Sequence, residues 1–108
     1  MEMNIIGRHK MLAVRLSGDI DHHSTQDIRE NIDRELMRRG VRNLMMDFSG
    51  TGFMDSSGIG LVMGRYKKVK ALGGKAWIIC NNPNATRILE MSGVFQFIEK
   101  CQSIHDAV

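Results

Sequence analysis

Residues 41–60 read VRNLMMDFSGTGFMDSSGIG, and this stretch decides the fold of the chain. The apolar run at residues 44–46 is bounded by turn residues and predicts a buried strand over residues 41–48. Residues 49–52, SGTG, are expected to break that strand, and a long helix begins at the Ser-Ser-Gly segment of residues 56–58. A buried strand followed so closely by a helix is typical of an α/β protein.

The rest of the chain continues the alternation of strand and helix. Ser24, with Asp27 in the capping-box position, predicts the amino end of a helix that stops at Gly40. Asn82 followed by Pro83 predicts the start of another helix. The remaining predictions are strands over residues 3–6, 11–16, 76–80 and 95–98, a hairpin turn over residues 7–10, a loop over residues 18–23 and a terminal helical turn over residues 103–108.

This order of elements defines a fold class. Strands that alternate with helices imply parallel pairs joined by right-handed crossovers, and the first two strands add an antiparallel hairpin. We therefore predict an α/β fold: a small mixed β-sheet, mostly parallel with an antiparallel edge hairpin, flanked by helices. No linker or repeat divides the chain, so residues 1–108 are expected to form a single domain.

Composition narrows the class of protein further. The chain has 108 residues, of which 43% are hydrophobic and 25% charged, a balance typical of a soluble globular protein. No apolar run approaches the roughly 20 residues of a membrane span, and the amino terminus is too polar for a signal peptide, so we expect a cytoplasmic protein without membrane contact. Cys80 and Cys101 match no disulfide scaffold or zinc motif and are expected to be reduced packing residues.

The net charge of +3 is mild, but it is unevenly distributed. No acidic residue lies between Asp55 and Glu90, whereas that interval holds Arg65, Lys67, Lys68, Lys70, Lys75 and Arg87. A basic face can bind nucleic acid, but only Tyr66 supplies an interleaved aromatic ring. A solvated helix face is the favoured interpretation, and no direct nucleic-acid contact is expected.

Three patterns resemble chemical sites without meeting their requirements. The glycines of residues 58–64 are spaced one residue wider than the dinucleotide fingerprint and lack a downstream acid, which leaves nucleotide binding as a weak alternative. A triad of Ser57, His22 and Asp21 has no supporting spacing. The polar cluster at residues 19–23 is explained by a turn without a metal. No catalytic residue, cofactor site or metal site is therefore predicted.

The serines at the start of the long helix allow a different kind of site. Asp55 and Ser56 are both favourable N-cap residues. If Ser56 caps, Ser57 is the first helical residue and its hydroxyl can face solvent. A phosphate there adds about −1.5 to −2 charges, and a helix amino end tolerates an anion with a gain of up to ~1 kcal/mol. Phosphorylation would then alter what docks on this surface, although the residues alone favour plain capping roles for both serines.

Several segments, taken together, resemble one known family. They are FMDSSGIG at residues 53–60, GRYK at 64–67, GG at 73–74, GDIDHH at 18–23 and MSGVF at 91–95. These segments are similar to those of the STAS family, and most similar to its bacterial anti-anti-sigma factors. The resemblance extends over nearly the whole chain.

The resemblance implies a function. Such a protein is not an enzyme; it binds an anti-sigma factor that is also an ATP-dependent serine kinase of the histidine-kinase-like ATPase class, and this binding frees a sigma factor in sporulation control. The kinase phosphorylates the second serine of D-S-S-G, here Ser57, and the phosphoprotein dissociates. A phosphatase of the metal-dependent PP2C class restores the binding form. A small-molecule or nucleotide-binding STAS-like domain is the alternative.

The same resemblance implies which residues form the partner-binding surface. Asp55, Ser56 and Gly58 shape the turn that presents Ser57, and Asp21 lies near it in the matching loop. Helical spacing adds Ile59 and Leu61 as apolar contacts. If Ile59 points into the core, Leu61 faces roughly the other way and is expected to be an exposed contact beside the phosphoacceptor.

Overall fold

The computed structural model describes residues 1–7 and 10–106. Its strands are β1 (Glu2–Ile6), β2 (Met11–Ile20), β3 (Asn43–Met54), β4 (Ala76–Ile79) and β5 (Glu99–Cys101). Its helices are α1 (His22–Arg39), α2 (Ser57–Ala71) and α3 (Pro83–Ser92), and two short 3-10 helices lie at Val94–Gln96 and Ile104–Asp106. Within the described ranges, no helix combines the length and apolarity that crossing a bilayer requires.

The five strands form one sheet in the order β1-β2-β3-β4-β5. β1 and β2 are antiparallel, and every later neighbour is parallel. This arrangement confirms the predicted mixed sheet with an antiparallel edge hairpin. From β2 to β5, each helix connects one strand to its next neighbour in the same direction across the sheet. Because all three crossovers are right-handed, α1, α2 and α3 lie on the same face of the sheet.

The core lies between that face and the helices. The strands contribute alternate residues to it, among them Leu12, Leu44 and Ile78, which are fully buried. The helices contribute residues such as Ile32, Val62 and Leu89 to the same cluster. The opposite face carries a smaller cluster formed by Met11, Met45, Ile79 and Cys101. Cys80 and Cys101 are both free and buried, one in each cluster, as predicted.

The strand β3 is longer than predicted. It runs through the SGTG segment to Met54 instead of breaking there. The glycines in that segment allow β2 to approach closely: a Cβ on Gly50 would lie 3.1 Å from the Leu16 carbonyl oxygen, and one on Gly52 would lie 3.1 Å from Asp19 Oδ1. Glycine therefore marks close backbone packing at this point and not a turn.

The start of α1 also differs from the prediction. β2 continues to Ile20, and Asp21 is the N-cap, three residues before the predicted Ser24. The Asp21 carboxylate accepts the His23 and Ser24 amides, both at 2.9 Å, and Ser24 Oγ accepts the Asp21 amide at 3.0 Å. Ser24 is thus the third helical residue of a capping box and not the cap. The predicted end holds, because Gly40 is left-handed with φ 64°.

The carboxyl-terminal part needs one further correction. The strand predicted over residues 95–98 is wrong: Val94–Gln96 is a 3-10 helix and β5 begins at Glu99. Gly93 turns the chain with φ 82°, and the amides of Phe97 and Ile98 then both donate to the Val94 carbonyl. Asn82 and Pro83 begin α3 as predicted.

The two predicted turns are described only in part. In the hairpin turn, the Lys10 amide donates to the Gly7 carbonyl at 3.3 Å, while residues 8 and 9 lie outside the described residues. The terminal turn is a 3-10 helix at Ile104–Asp106, and residues 107 and 108 also lie outside the described part.

Candidate functional site

The carboxyl ends of β2 and β3 lie side by side at one edge of the sheet. Ile20 pairs with Met54 in the parallel register, and the Asp55 amide donates to the Ile20 carbonyl at 3.1 Å. Asp21 and Asp55 each follow one of these paired residues and each precede a helix. The register therefore brings the starts of α1 and α2 together, as expected for functional groups in an α/β sheet.

The cap of α2 is formed by Asp55. Its carboxylate accepts the Ser57 amide at 2.8 Å. Ser56 occupies the position before the helix but has helical backbone angles (φ −63°, ψ −17°), and its side chain makes no capping hydrogen bond. Ser56 therefore holds the N-cap position and Ser57 is the first helical residue, as expected, but Asp55 and not Ser56 supplies the capping side chain.

The first amides of α2 all have partners inside the chain. The Ser57 amide bonds to the Asp55 carboxylate, the Gly58 amide to the Asp55 carbonyl at 3.0 Å and the Ile59 amide to the Ser56 carbonyl at 3.1 Å. An anion at this helix end would have to displace one of these bonds. The direct gain expected from a phosphate bound by free helix amides is thus reduced.

Ser57 lies at the mouth of a groove between α1 and α2. The residue is half-buried, and its hydroxyl forms no hydrogen bond with any described residue. The groove has a volume of about 480 Å³. Its lining comes from one side of each helix: His22, Thr25, Gln26 and Arg29 from α1, and Ser57, Gly60, Leu61, Gly64 and Arg65 from α2.

Gly58 of α2 is closely packed, whereas Gly60 and Gly64 of the same helix border open space. A Cβ on Gly58 would lie 2.5 Å from Met54 Sδ, so the helix start packs directly on the end of β3. A Cβ on Gly60 or Gly64 would meet nothing within 4 Å. The groove is therefore open because these two positions lack side chains.

The prediction that Leu61 faces outward is wrong. Leu61 is 4% exposed and belongs to the main core, while Ile59 is half-buried against the same core. The reason is that α2 contacts α1 and α3 as well as the sheet, so its buried surface is wider than one stripe. Leu61 reaches the groove only as part of its floor.

Two exposed apolar residues that the sequence analysis did not predict lie beside the end of β3. Phe53 is 54% exposed and Met91 is 76% exposed, and both line a hollow of about 380 Å³ between the end of β3 and α3. The exposure of Phe53 follows from its position next to the buried Met54 in a strand, because successive side chains of a strand point to opposite faces of the sheet. The sequence analysis did not use this alternation because it predicted that β3 ends before Phe53.

Asp21 is brought to the same edge, where its carboxylate is engaged in capping. Its pKa lies below the usual value, chiefly because it accepts the Ser24 amide and also because it accepts the His23 amide. Asp19, in the same cluster, accepts the Phe53 amide at 3.1 Å. The Asp19 carboxylate therefore links β2 to β3 at this edge, while the Asp21 carboxylate caps α1.

Arg65 is buried, contrary to the prediction of a wholly solvated basic face. It is 7% exposed, and its Nε lies 2.9 Å from Asp33 Oδ1 of α1. Burial lowers the pKa of Arg65, Asp33 opposes that shift, and the nearby Arg29 lowers the pKa further. Lys67 and Lys70 are exposed as predicted.

The fold is a small α/β domain, with a mixed sheet and three helices on one face. Its candidate binding surface lies at the carboxyl ends of the strands, where α2 begins. The STAS domain model matches residues 1–107, so the chain belongs to the STAS family.

Within that family the chain is similar to anti-sigma factor antagonists. It is 39% identical to the anti-sigma F factor antagonist of Paenibacillus polymyxa over 88 residues, which cover 82% of this chain and 75% of the relative. It superposes on the anti-sigma factor antagonist SpoIIAA in its unphosphorylated form with a TM-score of 0.82 and 27% identity, covering 98% of this chain and 90% of that one.

A second solved structure is that of the Bacillus cell fate determinant SpoIIAA in its phosphorylated form. The TM-score is 0.73 at 27% identity, with 98% of this chain and 94% of that one covered. These similarities confirm the predicted resemblance to bacterial anti-anti-sigma factors. The same segments also resemble stage II sporulation protein AA, and the two SpoIIAA structures bear this out. The relatives are antagonists and not enzymes, which agrees with the expected non-enzymatic class.

Proposed function

We propose that this chain is an anti-sigma factor antagonist whose binding is switched off by phosphorylation of Ser57. In its unphosphorylated form it binds an anti-sigma factor and so frees a sigma factor. The similarity to named antagonists supports the class of protein. The observation that carries the choice of residue is that Ser57 lines an open groove at the start of α2 and that its hydroxyl makes no hydrogen bond with the described residues.

The proposed partner is both target and modifying enzyme. It is an anti-sigma factor with serine kinase activity of the histidine-kinase-like ATPase class, and a PP2C-type phosphatase removes the phosphate. We place this cycle in the cytoplasm and in the control of a sporulation sigma factor. The existence of a related SpoIIAA in phosphorylated and unphosphorylated forms supports a phosphorylation cycle.

The proposed partner-binding surface surrounds Ser57. Asp21 and Asp55 hold the two helix starts, Ser56 is exposed beside the acceptor, and Gly58 lets α2 pack on Met54. Ile59 contributes from its half-buried position. Leu61 supports this surface from the groove floor and supplies no exposed anchor.

The size of the expected effect limits where Ser57 can lie in the complex. A hundredfold loss of affinity corresponds to about 2.7 kcal/mol. A phosphate at an exposed rim contributes less than this, because solvent screens it. A dianion that loses hydration against an apolar or acidic partner surface can supply it. Ser57 is therefore expected to lie well inside the contact with the partner.

Phosphate mapping tests the proposal. The parent chain, Ser57→Ala and Ser56→Ala are incubated with the cognate kinase and ATP and then analysed by mass spectrometry. We expect one phosphate on Ser57 in the parent and in Ser56→Ala, and none in Ser57→Ala. A phosphate on Ser56, or none in the parent, contradicts the proposal.

The open groove also favours a second candidate, a small-molecule or nucleotide-binding domain. Arg29 and Arg65 line the groove and give it a positive wall suited to an anionic ligand. Nucleotide titration with thermal melting distinguishes the two functions. A rise in melting temperature without any protein partner, equal in parent and Ser57→Ala, favours this second function.

A further inference from the structure

We propose that the groove between α1 and α2 is an oxyanion site that receives the phosphoryl group of phosphorylated Ser57, held by Arg29 and Arg65. The inference rests on the proposed phosphorylation of Ser57 and adds where the phosphate goes. It gives Arg29 and Arg65 the role of positioning the phosphate, a role that the proposed phosphorylation of Ser57 does not by itself require.

The first observation concerns the buried guanidinium of Arg65. The residue is 7% exposed, yet it lines the groove. Its Nη1 is buried and makes no hydrogen bond with the described residues, and its Nε faces Asp33 at 2.9 Å without the alignment of a hydrogen bond. A buried guanidinium with unused donors has a strong physical reason to accept an oxyanion, because leaving such donors unpaired is costly.

The charge balance at the helix interface points the same way. Asp33 lies 2.9 Å from Arg65 and 3.6 Å from Lys68, so one carboxylate is shared by two cations. Arg29 forms no ion pair within residues 1–7 and 10–106, and it lies close enough to Arg65 to lower the pKa of that residue. The interface between α1 and α2 therefore carries excess positive charge, and Arg29 and Arg65 both line the groove.

Helix direction brings these charges toward Ser57. α1 and α2 both begin at the sheet edge where β2 and β3 end, so they run in the same direction. Long helical side chains lean toward the amino end of their helix, which is the end that holds Ser57. Arg65 lies eight residues along α2 from Ser57, a rise of roughly 12 Å, and both residues line the same groove.

The alternatives for the phosphate are less favourable. The first amides of α2 are occupied, and the Asp55 carboxylate beside the Ser57 amide repels a dianion. Asp21, a second carboxylate at this edge, is the cap of α1 and repels it also. The floor of the groove is open at Gly60 and Gly64, where an added Cβ would meet nothing within 4 Å. The groove is thus the positively charged space next to Ser57 that can be entered without breaking a helix cap.

The test uses the full chain with phosphoserine installed at position 57 by codon suppression, so that it does not depend on any kinase. Phosphorus NMR follows the second ionisation of the phosphate as pH is varied. In the folded protein we expect the pKa of the phosphoserine to lie about half a unit to one unit below its value in the same protein unfolded in urea.

Single-residue variants distinguish binding of the phosphate in the groove from a general effect of the net charge of the protein. Arg29→Gln removes an exposed cation, so the fold is retained, and it should raise the phosphoserine pKa toward the unfolded value. Arg65→Gln should do the same, with Arg65→Lys as the charge-preserving variant. Lys67→Gln is the matched control, because it removes an equal charge from α2 outside the groove.

The outcomes are distinct. A phosphoserine pKa that responds to Arg29→Gln and not to Lys67→Gln supports the site. Equal pKa values in the parent, Arg29→Gln and Lys67→Gln overturn it. Failure of the kinase to modify Ser57 would instead overturn the proposed function, and the measurement on installed phosphoserine would still decide whether the groove binds the anion.

Discussion

The Asp55 carboxylate accepts the Ser57 amide at 2.8 Å, which ties the start of α2 to the end of β3 and leaves the Ser57 hydroxyl without a partner among the described residues. The side chain that shapes the turn is thus separate from the side chain that we expect to be modified. Modification of Ser57 can therefore change the surface without removing the cap that holds the helix.

The first prediction concerns this cap. Asp55→Ala removes the acceptor for the Ser57 amide and should lower the free energy of unfolding by about 0.5–2 kcal/mol. Asp55→Asn is the control, because asparagine is an equally good N-cap and should retain most of the stability. Urea denaturation measures both variants. If Asp55→Ala is as stable as the parent, the cap does not hold the start of α2.

The second prediction compares two glycines of α2. Gly58→Ala places a Cβ 2.5 Å from Met54 Sδ and should destabilise the chain by about 1–3 kcal/mol as Met54 is displaced. Gly60→Ala meets nothing within 4 Å and should be neutral or stabilising by up to about 1 kcal/mol, because alanine favours the helix. Thermal or urea unfolding of the pair is the measurement, and a reversed order of stability would show that the packing of α2 on β3 is described incorrectly.

The third prediction separates core from surface near the site. Leu61→Ala empties a core position and should cost about 2–5 kcal/mol of unfolding free energy. Phe53→Ala removes a larger side chain that is 54% exposed and should change stability by only about 0.5 kcal/mol. Should Leu61→Ala prove harmless to stability, the leucine would be a surface contact after all.

The fourth prediction is a pH dependence at Asp21. Capping lowers the pKa of Asp21 in the folded chain below its ordinary value of 3.8, so the folded state is stabilised by the ionised carboxylate. That contribution is complete above pH 3.8 and is lost as the pH falls through the lower folded value. Carbon NMR titration of the carboxyl should give a folded pKa under 3.8, and Asp21→Asn should reduce the acid sensitivity of unfolding. A folded value at or above 3.8 would falsify the capping role.

Much of the fold was predictable because local signals and packing agree. The Asn82-Pro83 helix start, the Gly40 helix end and the buried run at residues 44–46 are dictated by chain-local chemistry, and the structure retains all three. The failures occur where tertiary contact overrides the local signal. Gly50 and Gly52 permit a close approach of β2 and so continue a strand that their turn propensity predicts to end.

The site was predictable in outline only. Hydrophobic spacing marks one side of α2 as buried but does not show that α1 covers another, so the burial of Leu61 and Arg65 was not predictable from periodicity. The groove itself depends on how α1 lies beside α2 and has no signature in a single segment. Gly60 and Gly64 were visible as small residues four positions apart, but only their surroundings show that they leave an opening.

Calorimetric titration with the proposed partner, an anti-sigma factor with kinase activity, tests the central claim most directly. The chain is supplied as the parent, as Ser57→Ala and with phosphoserine installed at position 57. The account predicts that the parent and Ser57→Ala bind with similar affinity, while the phosphoserine form binds about a hundredfold more weakly, a loss of about 2.7 kcal/mol. Equal affinities for the parent and the phosphoserine form would contradict it.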